Sequence, residues 1–321
     1  DYDVLSELLQ NAVDAIEKRR EIDSKFTGKI EIQINSDFKE IVVIDNGIGM
    51  SKDMLDRAVQ VNESGKIDDP KTIGEKGVGL SFTIFNSGYA EIISTDDKET
   101  TRIVATNANL WLRSADEVAF KMPPESLPKL NQRGTKVMLS AINTDDSSFF
   151  DLNAAQLEFV IRTRTAIDNV NAIFSENFRE IDVFLSYHNS TKAINVEEKK
   201  ISNSYYLLDD VSQANIIGID EFNNWLKAGD RSDVQKRQKL QGKYLTVQGI
   251  EERSGRKIKY YAYFAPNNDD WSERSKELGL ANADIEKNDP DVSYYELHEG
   301  AYLSVKGMPT GISVGTERIQ G

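Results

Sequence analysis

At the start of the chain, apolar residues recur every three or four positions. Val4, Leu5, Leu8, Ala12, Ala15 and Ile16 fall on one stripe and predict an amphipathic helix. Lys18, Arg19 and Arg20 close it with positive charge, which suits the negative end of the helix dipole. The period then changes to two. Residues 29–34 alternate polar and apolar and predict a strand with one buried face, and residues 40–44 are a β-branched run fit for a buried strand. Ser51 is placed to cap a short helix over 52–61, and another short helix is expected over 80–86. Strands are expected at 90–95, 101–106, 117–121 and 133–139. Residues 151–176, rich in Ala, Leu, Ile and Phe at helical spacing, predict a connector helix or pair. Beyond them, strands are expected at 182–187, 204–208 and 257–264, then a polar, acidic insertion over 267–290, and a strand entering a Gly-Pro turn over 300–311.

Some polar residues interrupt this pattern in an ordered way. Glu7, Asn11 and Asp14 are spaced four and three apart, so a helix places them on one face. A carboxylate there can orient or deprotonate a water, and an Asn oxygen can ligate a hard cation such as Mg²⁺. The same spacing also suits the ordinary polar edge of an amphipathic helix. Asp45 ends the second strand and is followed by Gly47, Gly49 and Met50. At the bottom of a pocket such an Asp can accept from an amino group, and the glycines let a planar ligand approach. An ordinary Asn-Gly turn gives the same residues. Residues 62–72 are polar and read as a lid. Gly74, Gly77 and Gly79 open the next helix in a G-x-x-G-x-G arrangement, where converging backbone N–H groups favour an anion. The spacing matches neither the dinucleotide fingerprint nor a Walker loop. Thr135, at the entry of the strand over 133–139, has a hydroxyl that can reach the pocket of Asp45 directly or through water.

Composition narrows the field. A formal net charge of -14 disfavours nucleic-acid binding by the whole surface, without excluding a local basic face. The absence of cysteine rules out disulfides, thiolate zinc sites and thiol nucleophiles, and His188 and His298 lie too far apart for metal-ligand spacing. No apolar run is long enough to span a membrane. The segment from 236–239 to 256–259 is locally basic and reads as a solvated element, or as a patch for nucleic acid or an acidic partner. The first residue already lies inside the helical pattern, so the chain is expected to be part of a longer protein.

Taken in order, Glu7-x-x-x-Asn11-x-x-Asp14-Ala15, Asp45-x-Gly47-x-Gly49-Met50, Gly74-x-x-Gly77-x-Gly79 and Gly134-Thr135 resemble the GHKL ATPase superfamily. That group includes gyrase B, the Hsp90-type chaperones, histidine kinases and MutL. The resemblance covers residues 1–142. It implies an α+β fold, a two-layer α/β sandwich of the Bergerat type, followed by connector helices over 143–180 and an α/β transducer-like domain over 181–321. It also implies a site for ATP and Mg²⁺. Glu7 would be the general base orienting the attacking water, Asn11 would ligate Mg²⁺, and Asp14 would support the site from the helix face. Asp45 would accept from the adenine amino group with Thr135 assisting through water, and Gly47, Gly49 and Met50 would surround the base. Gly74, Gly77, Val78 and Gly79 would cradle the phosphates beneath a lid carrying Lys66. Lys306 would be the basic residue that the second domain returns to the γ-phosphate.

Within the superfamily, Glu7 suits hydrolysis, whereas histidine kinases usually carry Asn there. Residues 45–51 and 133–137 look most like the chaperone branch. Ser64-Gly65-Lys66 is similar to the lid of MORC-type ATPases, although Ser81 stands where that family tends to carry Lys. The resemblance therefore implies slow Mg²⁺-dependent ATP hydrolysis that drives a switch of lid, domains and subunits. A non-hydrolytic ATP sensor or scaffold, or a histidine-kinase-like phosphotransferase, are the alternatives. The implied partners are ATP and ADP, a second copy of the chain and a protein client. Nucleic acid stays open and no membrane is expected. The implied location is cytoplasmic, or nuclear for a MORC-like eukaryotic protein.

Overall fold

The segments of period two pair into one large sheet. In the computed structural model the described residues are 2–59, 79–113, 122–143, 149–170, 174, 179–203, 206, 216–241, 243–264, 270–280, 301–305 and 308–314. Eight strands form the sheet: β1 (Gly28–Asn35), β2 (Glu40–Asp45), β3 (Ser87–Thr95), β4 (Thr100–Thr106), β5 (Glu125–Leu127), β6 (Gly134–Ile142), β7 (Ile181–Asn189) and β8 (Ile194–Ile201). Their order is β5-β4-β3-β6-β2-β1-β7-β8. Neighbours are antiparallel except β1 and β7, which run parallel.

Alternation gives this sheet one buried and one polar face. Across the middle of the buried face, Ile32, Val43, Val137, Ile92 and Ile103 sit in register on five strands. One pleat further on, Ile34, Ile41, Leu139, Ala90 and Ala105 do the same. The opposite face carries Lys29, paired with Glu31 at 2.6 Å, and Arg102, paired with Glu91 at 2.6 Å.

Helices cover the apolar face. Helix α1 (Tyr2–Ile22) buries Val4, Leu5, Leu8, Leu9, Ala12, Val13 and Ile16. Each of the Val, Leu and Ile side chains contributes roughly 1.5–3 kcal/mol by leaving water. Arg20, in the last turn, is buried and donates from Nη2 to the Glu180 carbonyl at 2.6 Å, which ties α1 to the entry of β7. The short helices α2 (Lys52–Ala58), α3 (Gly79–Phe85) and α4 (Ala108–Arg113) join the layer. Ser51 caps α2, accepting from the Met54 N–H, and the helix ends at 58 rather than at the expected 61. Helix α5 (Ala154–Arg164) buries Leu157, Val160 and Ile161 in the same core. Residues expected to connect two domains thus pack beneath the first sheet, and β7 and β8 carry that sheet past the expected boundary at 180. The result is a two-layer α/β sandwich.

A smaller three-stranded sheet follows. Strand β9 (Ile216–Gly218) pairs in parallel with β10 (Tyr244–Arg253), so a crossover is required, and α6 (Ile219–Lys227) and α7 (Asp233–Leu240) supply it. Strand β11 (Arg256–Phe264) returns through a tight turn at Ser254 and Gly255, both at positive φ, which matches the twist of a hairpin. Helix α8 (Asp270–Glu277) and the hairpin of β12 (Ala301–Val305) and β13 (Met308–Val314) complete the described chain. Pro309 lies inside β13 rather than in a turn. The strand expected at 117–121 lies outside the described residues. Of the one expected at 204–208 only Tyr206 is described, and it is helical.

Candidate functional site

Two of the polar residues that interrupt the pattern, Asp45 and Thr135, lie side by side at one end of the buried face. One pleat from Ile32 and its row, Ile30 is followed across the sheet by Asp45, Thr135, Ser94 and Thr101, each in register with the next. All are buried, and Asp45 is only 8% exposed. The same four strands that supply an apolar row therefore supply a polar one beside it. Buried polar groups need partners, and most of these have them.

Asp45 is held by its neighbours. Its Oδ1 accepts the Gly47 N–H at 2.7 Å, and the Thr135 backbone N–H also donates to the carboxylate. Burial pushes its pKa up to about 7, against the opposing pull of the two N–H donors and of the Arg19 charge. A carboxylate in that setting changes protonation near neutrality and can accept a hydrogen bond from a buried donor once ionised.

Backbone geometry around Asp45 demands glycine at two places. Gly49 has φ +73°, and a Cβ there would lie 1.9 Å from the Thr95 carbonyl oxygen. Gly134 has φ +139°, with Asp45 O 2.0 Å from the same imagined atom. Gly47 lies so near α1 that a Cβ would come within 2.6 Å of Ala15 Cβ, and the Ile48 N–H donates to Ala15 O at 3.0 Å. The loop after β2 is thereby strapped to the helix.

Ser94 organises the next part of the row. Its Oγ lies 2.9 Å from Thr135 Oγ1 and accepts the Met50 N–H at 2.8 Å. Thr135 therefore meets Asp45 through its backbone N–H while its hydroxyl is engaged by Ser94. The Met50 side chain is half-buried against the core. Thr101 Oγ1 is buried without a hydrogen-bond partner. Neither Ser94 nor Thr101 was singled out from the sequence. Each is a polar residue at an inward position of an alternating strand, and that signal is visible once the strand's inward face is known.

Helix α1 carries the other half of the site. Glu7, Asn11 and Asp14 share the face set by their spacing, with Glu7 and Asn11 half-buried and Asp14 buried. A Cβ on Gly79 would lie 1.9 Å from Glu7 Oε2, so the carboxylate rests directly on the first residue of α3. From Glu7 to Ala15, which touches Gly47, the helix rises about 12 Å. Among the described residues no group of three or more His, Asp or Glu side chains could hold a metal. Lys66, Gly74, Gly77, Val78 and Lys306, with the whole of the expected lid, lie outside the described residues. No helix among the described residues is long and apolar enough to cross a membrane.

Comparison with known proteins agrees with this architecture. Residues 2–136 match the family of histidine kinase-, DNA gyrase B-, and HSP90-like ATPases. The chain is 33% identical over 160 residues to the chaperone protein HtpG of Mesorhizobium japonicum, an alignment covering 43% of this chain and 24% of that protein. It is 27% identical over 238 residues to HtpG of Buchnera aphidicola, covering 64% of this chain and 36% of the relative. With HtpG of Campylobacter jejuni it shares 34% identity over 158 residues, 42% of this chain and 24% of that protein. The matched part of the chain thus spans about a quarter to a third of these curated relatives. The match over 2–136, which holds the four ordered motifs, is consistent with the GHKL ATPase superfamily.

Proposed function

We propose that the chain binds ATP between α1 and the polar end of the sheet and hydrolyses it slowly. One observation carries this reading: α1 touches Gly79 with Glu7 at one end and the Asp45–Gly47 turn with Ala15 at the other. A nucleoside triphosphate has a base at one end and its reacting phosphate at the other, and about 12 Å of helix separates the two contacts. Asp45 would accept from the adenine amino group, with Thr135 fixing the carboxylate and Met50 and Gly49 beside the base. Gly79, with Gly74, Gly77 and Val78, would receive the phosphates, Asp14 would support the site, and Lys66 would act from the lid.

The donor set suits Mg²⁺, which keeps waters and takes few protein ligands. Asn11 would hold it together with oxygens of the nucleotide. Mg²⁺ supplies charge neutralisation on the phosphates. Glu7 would take a proton from a water as its oxygen attacks the γ-phosphorus and the bond to ADP breaks. Lys306 would add positive charge at the same phosphate. Nucleotide exchange would then change the packing of lid and second sheet, and of two copies of the chain. The relatives are named chaperones, so a protein client is the partner we assign to that motion, in the cytoplasm.

The test is phosphate release from ATP with Mg²⁺ in the chain and in Glu7→Ala. Release that depends on Glu7 supports hydrolysis. Tight ATP binding with no release would replace it with the reading of a nucleotide sensor.

A further inference from the structure

Arg19 lies outside every motif that marks the site, yet it reaches the site through a single peptide unit. Its Nη1 donates to the Asn46 carbonyl at 2.6 Å, with the Gly47 carbonyl at 3.5 Å. The guanidinium carbon stacks 4.0 Å from the centroid of Phe26. The Asn46 carbonyl and the Gly47 N–H belong to the same planar peptide. At the far end of that plane, the Gly47 N–H donates to Asp45 Oδ1 at 2.7 Å. The chain of contacts is thus guanidinium, peptide carbonyl, peptide N–H, carboxylate.

We propose that Arg19 is a positioning residue for base selection, locking the Asn46–Gly47 peptide so that its N–H orients the Asp45 carboxylate toward a purine amino group. The inference rests on the proposed role of Asp45. An Asn-Gly peptide turns over readily, because glycine accepts either sign of φ. Rotating this one would carry the Gly47 N–H away from Asp45 and point a carbonyl oxygen at it. A charged donor on the carbonyl opposes that rotation and polarises the N–H at the other end, since linked hydrogen bonds strengthen one another. The side chain of Asn46 adds a second hold: Oδ1 accepts the Lys29 N–H at 2.7 Å and Nδ2 donates to Thr27 O at 3.1 Å. Those bonds fix Asn46 to Thr27 and to the start of β1 without fixing the plane of the peptide that follows it. Arg19 supplies what they leave out.

The experiment is calorimetric titration of the chain, Arg19→Met and Arg19→Lys with ADP and with inosine diphosphate. Inosine carries a carbonyl oxygen where adenine carries its amino group. Measurements are made at about pH 8.5, above the value of about 7 at Asp45. The unaltered chain is expected to prefer ADP. Arg19→Met should lose about tenfold of that preference, the equivalent of one charged hydrogen bond. Arg19→Lys, a single cation without the planar fork, should recover part of it. Thermal melting without nucleotide reports folding separately. A merely structural role would weaken both nucleotides alike and leave their ratio unchanged, which would overturn the inference. Should Arg19→Met not fold, an unchanged ratio in Arg19→Lys overturns it equally. No preference in the unaltered chain would instead overturn the base assignment at Asp45, and the inference with it.

Discussion

Two neighbouring rows on one sheet face serve opposite ends. Ile32, Val43, Val137, Ile92 and Ile103 are wholly apolar, whereas one pleat away Asp45, Thr135, Ser94 and Thr101 are wholly polar. Backbone, strands and burial are the same for both. The apolar row gains free energy simply by leaving water. The polar row spends some of that gain on keeping hydrogen-bonding groups inside, beside the turn that α1 touches through Ala15. A fold in which the floor of a site is continuous with its core can hold a carboxylate still, because the packing that secures the apolar row secures the polar one.

Substitutions in the two rows should therefore fail differently. Ile32→Ala, at a fully buried position, should cost about 3–4 kcal/mol in chemical denaturation while the folded fraction keeps its ADP affinity. Asp45→Asn should do the reverse. ADP affinity, read by calorimetry at about pH 8, should fall about a hundredfold. The raised pKa means the folded state favours the protonated carboxyl, so its stabilising contribution is full below about pH 4 and is lost as pH rises through about 7. Replacing the acid with the neutral amide removes that slope, so the variant should melt higher than the parent at about pH 8. In the parent, ADP affinity should rise with pH through about 7, because the ionised form is the acceptor.

Smaller effects sharpen the contrast. Gly79→Ala would push against the Glu7 carboxylate, so phosphate release should fall about tenfold with much less change in ADP affinity. Ser94→Ala removes the hydroxyl that joins Met50 to Thr135 and should cost about 1 kcal/mol in denaturation. Thr101→Val should be neutral or slightly stabilising, since the hydroxyl it removes has no partner.

Much of this was legible in the sequence. The stripe on α1, the alternation in β1 and the β-branched run of β2 are local signals, and each produced its element within a few residues. The order of the motifs, by its resemblance to a family, marks Glu7, Asn11, Asp45 and Gly134-Thr135, although each motif alone also suits an ordinary helix edge or turn. Features that depend on register were not legible. Ser94 looks like any strand serine until β3 is paired with β6, and Arg19 looks like a charge completing a helix until the loop after β2 folds beneath it. The parallel pairing of β7 with β1 is a contact across more than a hundred residues, and no local pattern announces it. Helix α5 was expected as a connector because its spacing fixes a helix but not the surface it packs on.

In the proposed site, the Ala15 contact of α1 serves nucleotide binding and the Glu7 contact serves chemistry. Calorimetric titration with ATP and Mg²⁺ at about pH 8 on Glu7→Ala and on Asp45→Asn tests it most directly. Glu7→Ala is expected to bind ATP as the parent does, and Asp45→Asn is not. Equal affinity in the two variants would contradict it.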